Sequence, residues 1–250
     1  MTSEEKLLIA KCEDLFRLCD RYADCRFSDF LNEAEQAFIQ REIGQRLGYN
    51  TQFFGGFSDA QRKIFGVFPE WMEISYDVFP IGVVKISKKY KKVLSHRDYL
   101  GTVLSTGLDR VKIGDIIVNE DGAYIITREE VSDFVARNIE KISNVGVKTE
   151  LCSISEIDVP KQEFLVIDAV CASVRLDAVI SGVLNISRRV ASELILTGKV
   201  SVNYLETNDT SKQLKPDDVV SVRGFGKFIF SRIGNITRSE RVHIEVRKFM

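Results

Sequence analysis

Apolar residues keep a helical period over residues 3–24, where Leu7, Leu8, Lys11, Leu15 and Leu18 recur on one side and acids gather toward the start. A second helix follows. Asn32 with Glu35 three residues later forms an Asx capping box, Ala34, Phe38, Ile39 and Ile43 supply its buried side, and Gly48 ends it. Beyond it, aromatic flanks surround Gly55-Gly56, Ser58 caps a short polar segment, and an apolar strand at 64–68 is closed by Pro69.

From about Ser75 to Leu151 the period changes to strands alternating with helices: strand 79–86, helix 95–104, strand 115–119, strand 123–127, helix 129–142 and strand 145–151. The two middle strands are joined by a tight turn at Glu120-Asp121-Gly122. That order is βαββαβ, the ferredoxin-like arrangement. Residues 152–164 are polar, contain Pro160 and have no period, so they predict a linker.

In the last third, Leu176, Val179, Ile180 and Val183 form one apolar stripe of a short helix. Ser187 is suited to cap a second helix with Val190, Ala191, Leu194 and Ile195 inward, and Gly198 to close it in left-handed geometry. The remainder alternates as β structure in runs divided by Gly224, Gly226 and a Gly234-Asn235 turn, with Val242, Ile244 and Val246 inward and His243, Glu245 and Arg247 outward. The pattern predicts an α+β chain: a helical or mixed N-terminal region over 1–73, a ferredoxin-like domain over 74–152, a linker over 153–164, and a two-helix module with a β extension over 165–250.

Composition adds few constraints. The 250 residues are 44% apolar and 28% charged with a formal net charge of −1, as in an ordinary globular protein. A positive surface must therefore come from segregation of charge. Residues 81–112 hold eight Lys or Arg against Asp98 and Asp109, and 225–250 hold Lys227, Arg232, Arg238, Arg241, Arg247 and Lys248 against Glu240 and Glu245. Cys12, Cys19, Cys25, Cys152 and Cys171 include no C-x-x-C and accompany just two histidines, which predicts reduced thiols in a cytoplasmic protein and neither a metal site nor a cofactor. Cys12 and Cys19 have the spacing of two core positions on one helix face. The start lacks the build of a signal peptide, and no apolar run reaches the ~20 residues of a membrane helix, so membrane insertion is not expected.

The candidate chemistry is anion binding at two helix starts. Ser187, Arg188 and Arg189 combine a hydroxyl, unpaired N–H groups and two cations, and Lys199 extends that edge. Because both arginines lie off the apolar stripe, their joint replacement is expected to spare stability. The second start joins Lys88, Lys89, Lys91 and Lys92 to a helix capped by Ser95 with His96 and Arg97 in its first turn. Cations there oppose the helix dipole unless an anion is present, which favours phosphate. Tyr124 is the one aromatic that the middle strands offer for base stacking, so recognition by this domain rests on charge. His96 beside Asp98 has no nearby nucleophile or second His, and no catalytic residue is assigned.

The runs "RLDAVI", "SRRVASELILTGKVSVN" and "LKPDDVVSVRG" resemble the alpha-L RNA-binding motif of the ribosomal protein S-four type. The resemblance implies that Arg175, Ser187, Arg188, Arg189, Lys199 and Asn203 line an RNA-facing edge. Two departures stand out: Tyr204 follows Asn203 where many members have Gly, and Lys215-Pro216-Asp217-Asp218 replaces the usual K-P-G-D turn. Together with "FLNEAEQ", "FFGGFSDAQRKI", "SHRDYLGTVLSTGLDRVKIGDI" and "SVRGFGK", the order is similar to that of the YlmH family of bacterial RNA-binding proteins. That resemblance implies structured rRNA and tRNA as partners, on the ribosomal large subunit during rescue of stalled ribosomes.

Two other readings compete. A pseudouridine synthase would use an Asp in a segment like "VRLDAV", but Asp177 belongs to the module's own first helix and too little chain follows for a catalytic domain of more than ~150 residues. A cell-division scaffold draws only on the acidic N-terminal helices.

Overall fold

The computed structural model describes residues 2–44, 48–160, 162–237 and 241–249. The chain divides after Pro160 into two compact units.

In the first unit, α1 (Ser3–Tyr22) begins at Thr2, whose hydroxyl accepts from the Glu5 N–H while Glu5 accepts from the Thr2 N–H. Its buried stripe is Cys12, Phe16 and Cys19, whereas Leu7 and Leu18 are exposed. The stripe is thus rotated from the leucines: Cys12, Phe16 and Cys19 meet Phe65 and Val67 in one core, with Phe16 edge-on to Tyr49 at 4.8 Å. Burial pushes the Cys12 thiol up to about 12, so it acts as a small apolar side chain.

Next come β1 (Arg26–Leu31), α2 (Glu33–Glu42), β2 (Tyr49–Phe54) and β3 (Lys63–Pro69), the strands pairing antiparallel in the order β1-β3-β2. The Asn32–Glu35 capping box is present as expected. However, α2 ends at Glu42 rather than at Gly48, and Ala34 faces solvent. β1 and β2 were not legible as strands because every residue of β2 is half-buried and β1 is half-buried over its first four, which leaves no clear alternation.

The chain continues through β4 (Ile81–Lys88), α3 (His96–Ser105), β5 (Ile113–Val118), β6 (Gly122–Arg128), α4 (Glu129–Asn138), β7 (Lys141–Ile142) and β8 (Val145–Cys152). The sheet is antiparallel in the order β5-β6-β4-β8-β7, which is the ferredoxin-like arrangement with one short extra edge strand. α4 stops at Asn138, short of the expected 142, because Ile142 pairs with Val145 in the β7–β8 hairpin. The β5–β6 turn forms as predicted, the Asn119 side chain accepting from the N–H groups of Asp121 and Gly122 at 3.0 and 2.8 Å.

One sheet face packs Val84, Ile86 and Ile125 against Tyr99, Val103 and Val135 of the two helices. The other face is covered as well: Val83, Ile117, Tyr124 and Ile126 are buried with Phe30, Ile64 and Phe68 of the N-terminal region and with Phe79, just ahead of β4. Residues 153–159, expected as linker, belong to this unit. They form a single turn at Ile154–Glu156, and Ile154, Ile157 and Val159 pack against the same cluster.

The second unit comprises β9 (Phe164–Cys171), α5 (Leu176–Leu184), α6 (Arg188–Leu196), β10 (Val200–Val202), β11 (Leu205–Glu206), β12 (Asp218–Val222), β13 (Gly226–Ile236) and β14 (Val242–Phe249). Its antiparallel sheet runs β11-β10-β12-β13-β14-β9, and Leu176, Val179, Ile180, Val183, Ala191 and Ile195 pack into one core with Phe228, Phe230, Ile244 and Val246. Gly234-Asn235 is not a turn: β13 runs through it, pairing Ile233 with Ile244 and Ile236 with Val242 across a register shift. Arg238 and Glu240 lie outside the described residues. Gly198 takes the expected left-handed backbone at φ +68°, and Asn185 closes α5 in the same way at +53°. No helix among the described residues is long and apolar enough to cross a membrane.

Candidate nucleic-acid interface

The arginine edge of the second unit is built around a buried carboxylate. Asp177, in the first turn of α5, is 5% exposed and takes Arg188 Nη2 on Oδ2 at 2.5 Å and Arg175 Nε on Oδ1 at 3.2 Å. Burial alone would raise the carboxyl's pKa. The hydrogen bonds from Arg188 and Arg175 outweigh it and hold Asp177 below its ordinary value. Arg175 and Arg188 are therefore structural as well as cationic, which corrects the expectation that replacing Arg188 would spare the fold.

Ser187 caps α6 through the Val190 N–H at 3.3 Å, so its Oγ already serves the backbone. Arg189 is exposed, and among the described residues its side chain has no hydrogen bond or ion pair. Arg175, Ser187, Arg188 and Arg189 thus stand on two helix starts, and one buried acid orients two of the three guanidinium groups as a fork, the kind of arrangement that suits phosphate oxygens.

Asn203 serves β12: its Oδ1 accepts from the Val219 N–H at 2.9 Å and its Nδ2 donates to Asp218 at 2.8 Å. Asn203 and Tyr204 both have positive φ, +50° and +64°, so Tyr204 adopts the turn geometry that Gly would take more readily. Lys199 lies beyond the far end of α6, at the opposite end of the helix from the arginines. There it lines a separate concavity of about 460 Å³ with Tyr204, Arg223 and Lys227. Arg223 and Lys227 were missed as candidates, although "SVRGFGK" signals them as cations spaced by glycines.

In the first unit, Lys88, Lys91 and Lys92 line a groove of about 650 Å³ whose other wall is Asn119, Glu120 and Asp121. Lys88 Nζ donates to the Lys92 carbonyl at 2.8 Å and Lys92 Nζ to Asn144 at 2.5 Å. Among the described residues, the side chains of Lys89, Lys91 and Arg97 make no such bonds. Tyr90 and Val93 stand out among them at 73% and 94% exposed. Tyr90 is the most exposed aromatic described in this domain, whereas Tyr124 is buried under the N-terminal region.

The second helix start is partly satisfied from within. Asp98 accepts from the Ser95 N–H at 2.8 Å and from Ser95 Oγ at 2.7 Å, which holds its carboxyl below the ordinary value. His96 is held below its ordinary value by desolvation and by Arg110, against the pull of Asp115. The downward shift favours the neutral imidazole and weakens its part as a cation of this edge. Asp115 itself anchors structure, accepting from the Gln61 and Arg62 N–H groups at 2.6 and 3.2 Å. Among the described residues, no group of His, Cys, Asp and Glu is arranged to hold a metal.

Comparison with known proteins bears on both units. Residues 75–156 match the family model described as "Putative RNA-binding domain in YlmH", and residues 174–220 match the S4 domain. Over 240 residues the chain is 28% identical to the ribosome-associated protein quality control protein P2 of Bacillus subtilis (strain 168), spanning 95% of this chain and 93% of that protein. Among solved structures, cell division protein ylmH from Streptococcus pneumoniae shares the fold with a TM-score of 0.54 at 20% identity, over 64% of this chain and 97% of that one.

Proposed function

We propose that this chain, a member of the YlmH family, is a non-catalytic cytoplasmic factor that binds structured rRNA and tRNA on the ribosome, and that it acts on the large subunit when translation has stalled. The observation that carries the reading is the arginine fork, in which buried Asp177 fixes Arg175 and Arg188 beside the exposed Arg189 at the start of α6. The lysine groove supplies a second basic surface on the other unit. Once one surface is bound, the covalent tether holds the other at about millimolar effective concentration, so modest contacts on each unit add to firm attachment. The quality-control assignment draws on what the Bacillus relative is named for, and the large subunit on the family resemblance.

Cosedimentation with separated large and small ribosomal subunits across a salt series tests this. With about five phosphate contacts, the log–log dependence of affinity on salt should have a slope of roughly −3 to −5. A slope near zero, or equal affinity for both subunits, would count against the reading. Mapping modified bases in rRNA with and without the protein tests its non-catalytic character.

A further inference from the structure

Between residues 64 and 84 the chain carries three carboxylates, Glu70, Glu73 and Asp77, and no Lys or Arg. The same stretch exposes Trp71 to 72%, Tyr76 to 51%, Val78 to 39% and Ile74 to 38%. Trp71 is the sole tryptophan of the chain. Large apolar side chains scattered singly need no explanation, but four exposed within eight residues are a local concentration, and Trp and Tyr are the residues on which protein interfaces concentrate their energy.

The segment is held in place. Asn50 Nδ2 donates to the carbonyls of Glu70 and Met72 at 3.3 and 3.4 Å, and Ser75 Oγ accepts from the Asp77 N–H at 3.3 Å to start the turn at Tyr76–Val78. The Tyr76 ring lies 4.6 Å from that of Phe54, and its hydroxyl meets Gln52 Nε2 at 3.4 Å. The aromatic groups are therefore presented on a scaffold, which lowers the ordering cost of docking.

Charge decides the class of partner. Three carboxylates repel RNA phosphate, and a purely apolar partner would strip them of water without compensation. A guanidinium satisfies both features at once, lying over an indole or phenol face while donating to a carboxylate. We propose that residues 70–78 dock a basic protein segment rich in arginine with interspersed apolar residues. The placement of that segment on a ribosomal particle rests on the function proposed above.

Two measurements on the full chain test it. In the first, wild type, Trp71→Ala and the triple variant Glu70→Gln, Glu73→Gln, Asp77→Asn are titrated against purified large subunits and against deproteinised rRNA, with thermal unfolding as control. Both variants should bind the particle about tenfold more weakly, while affinity for the naked RNA stays within twofold. Unchanged particle affinity, or equal weakening on particle and naked RNA, overturns the proposal. In the second, a tryptophan-free peptide of alternating Arg and Leu should shift the Trp71 emission of the wild type and bind the triple variant more weakly. A peptide of alternating Glu and Leu should do neither. If wild type binds neither particle nor RNA, the ribosomal reading falls, and the peptide titration still decides the surface: equal response to both peptides overturns it.

Discussion

The arginine fork and the lysine groove carry the same sign of charge but are built in opposite ways. In the fork, Asp177 sits nearly inaccessible between Arg175 and Arg188, so each guanidinium is oriented before any ligand arrives. Around the groove, Lys89, Tyr90, Lys91 and Val93 lie in a segment without regular structure, and among the described residues the ammonium groups with a hydrogen bond within the chain are those of Lys88 and Lys92. The units also differ overall: residues 161–250 hold 14 Lys and Arg against 10 Asp and Glu, residues 1–160 hold 21 against 26. A basic surface on the acidic unit therefore has to be concentrated locally, while the other unit carries a net positive charge. If both surfaces bind, Arg175 and Arg188 should therefore couple binding to stability and the groove lysines should not.

The largest effect should come from breaking the fork. Replacing Arg175 and Arg188 together by Ala strands the Asp177 carboxylate, and urea denaturation should show a loss of about 2–3 kcal/mol. That is below the range for a fully buried pair because both guanidinium groups are half open to water. Adding Asp177→Asn should recover much of the loss, whereas Arg189→Ala should change stability by less than about 0.5 kcal/mol while weakening RNA binding. Equal stability of the Arg188 and Arg189 variants would erase the distinction.

The groove should give the converse result. Lys88, Lys89, Lys91 and Lys92 all replaced by Ala should leave the thermal midpoint nearly unchanged and lower the affinity of the full chain for ribosomal particles about tenfold at physiological salt. Since two of the four ammonium groups bond within the chain, the salt slope should flatten by about 2, not 4. No change in slope would reduce the groove to a solvated loop.

Acid sharpens the comparison further. The folded pKa of Asp177 is depressed, so its contribution is fully present above the ordinary carboxylate value of about 4 and is lost as pH falls through the folded value. Asp115 in the first unit is shifted the other way, by desolvation outweighing the Gln61 and Arg62 N–H groups, so its contribution diminishes as pH rises through its folded value. Hydrogen exchange between pH 3 and 6 should therefore show protection near Asp177 falling with acid, and Asp177→Asn should flatten that dependence.

The smallest effect belongs to the turn before β12. Asp217 has φ +71°, a conformation that Gly adopts without strain, and Asp217→Gly should stabilise the second unit by about 0.5–1 kcal/mol in thermal or urea unfolding. A loss would show that the long contact from Arg247 at 4.0 Å matters more than the backbone.

Local patterns by themselves determined much of this molecule. The stripe Leu176, Val179, Ile180 and Val183, the Ser187 cap, the left-handed Gly198, the Asn119 turn and the βαββαβ order are all set by interactions within a few residues, so periodicity and capping rules reach them. Tertiary structure decided what those rules cannot see. Asp177 reads as an ordinary helical acid until a turn of chain brings Arg188 onto it, and Tyr124 reads as a stacking aromatic until Phe30, Ile64 and Phe68 cover it. The half-buried strands β1 and β2 lack alternation because they are packed from both sides, and the rotated stripe of α1 follows from what it meets. Burial is a property of the partner surface, and the neighbours that supply it are distant in sequence, so a charge's free or paired state becomes visible only when the fold is closed.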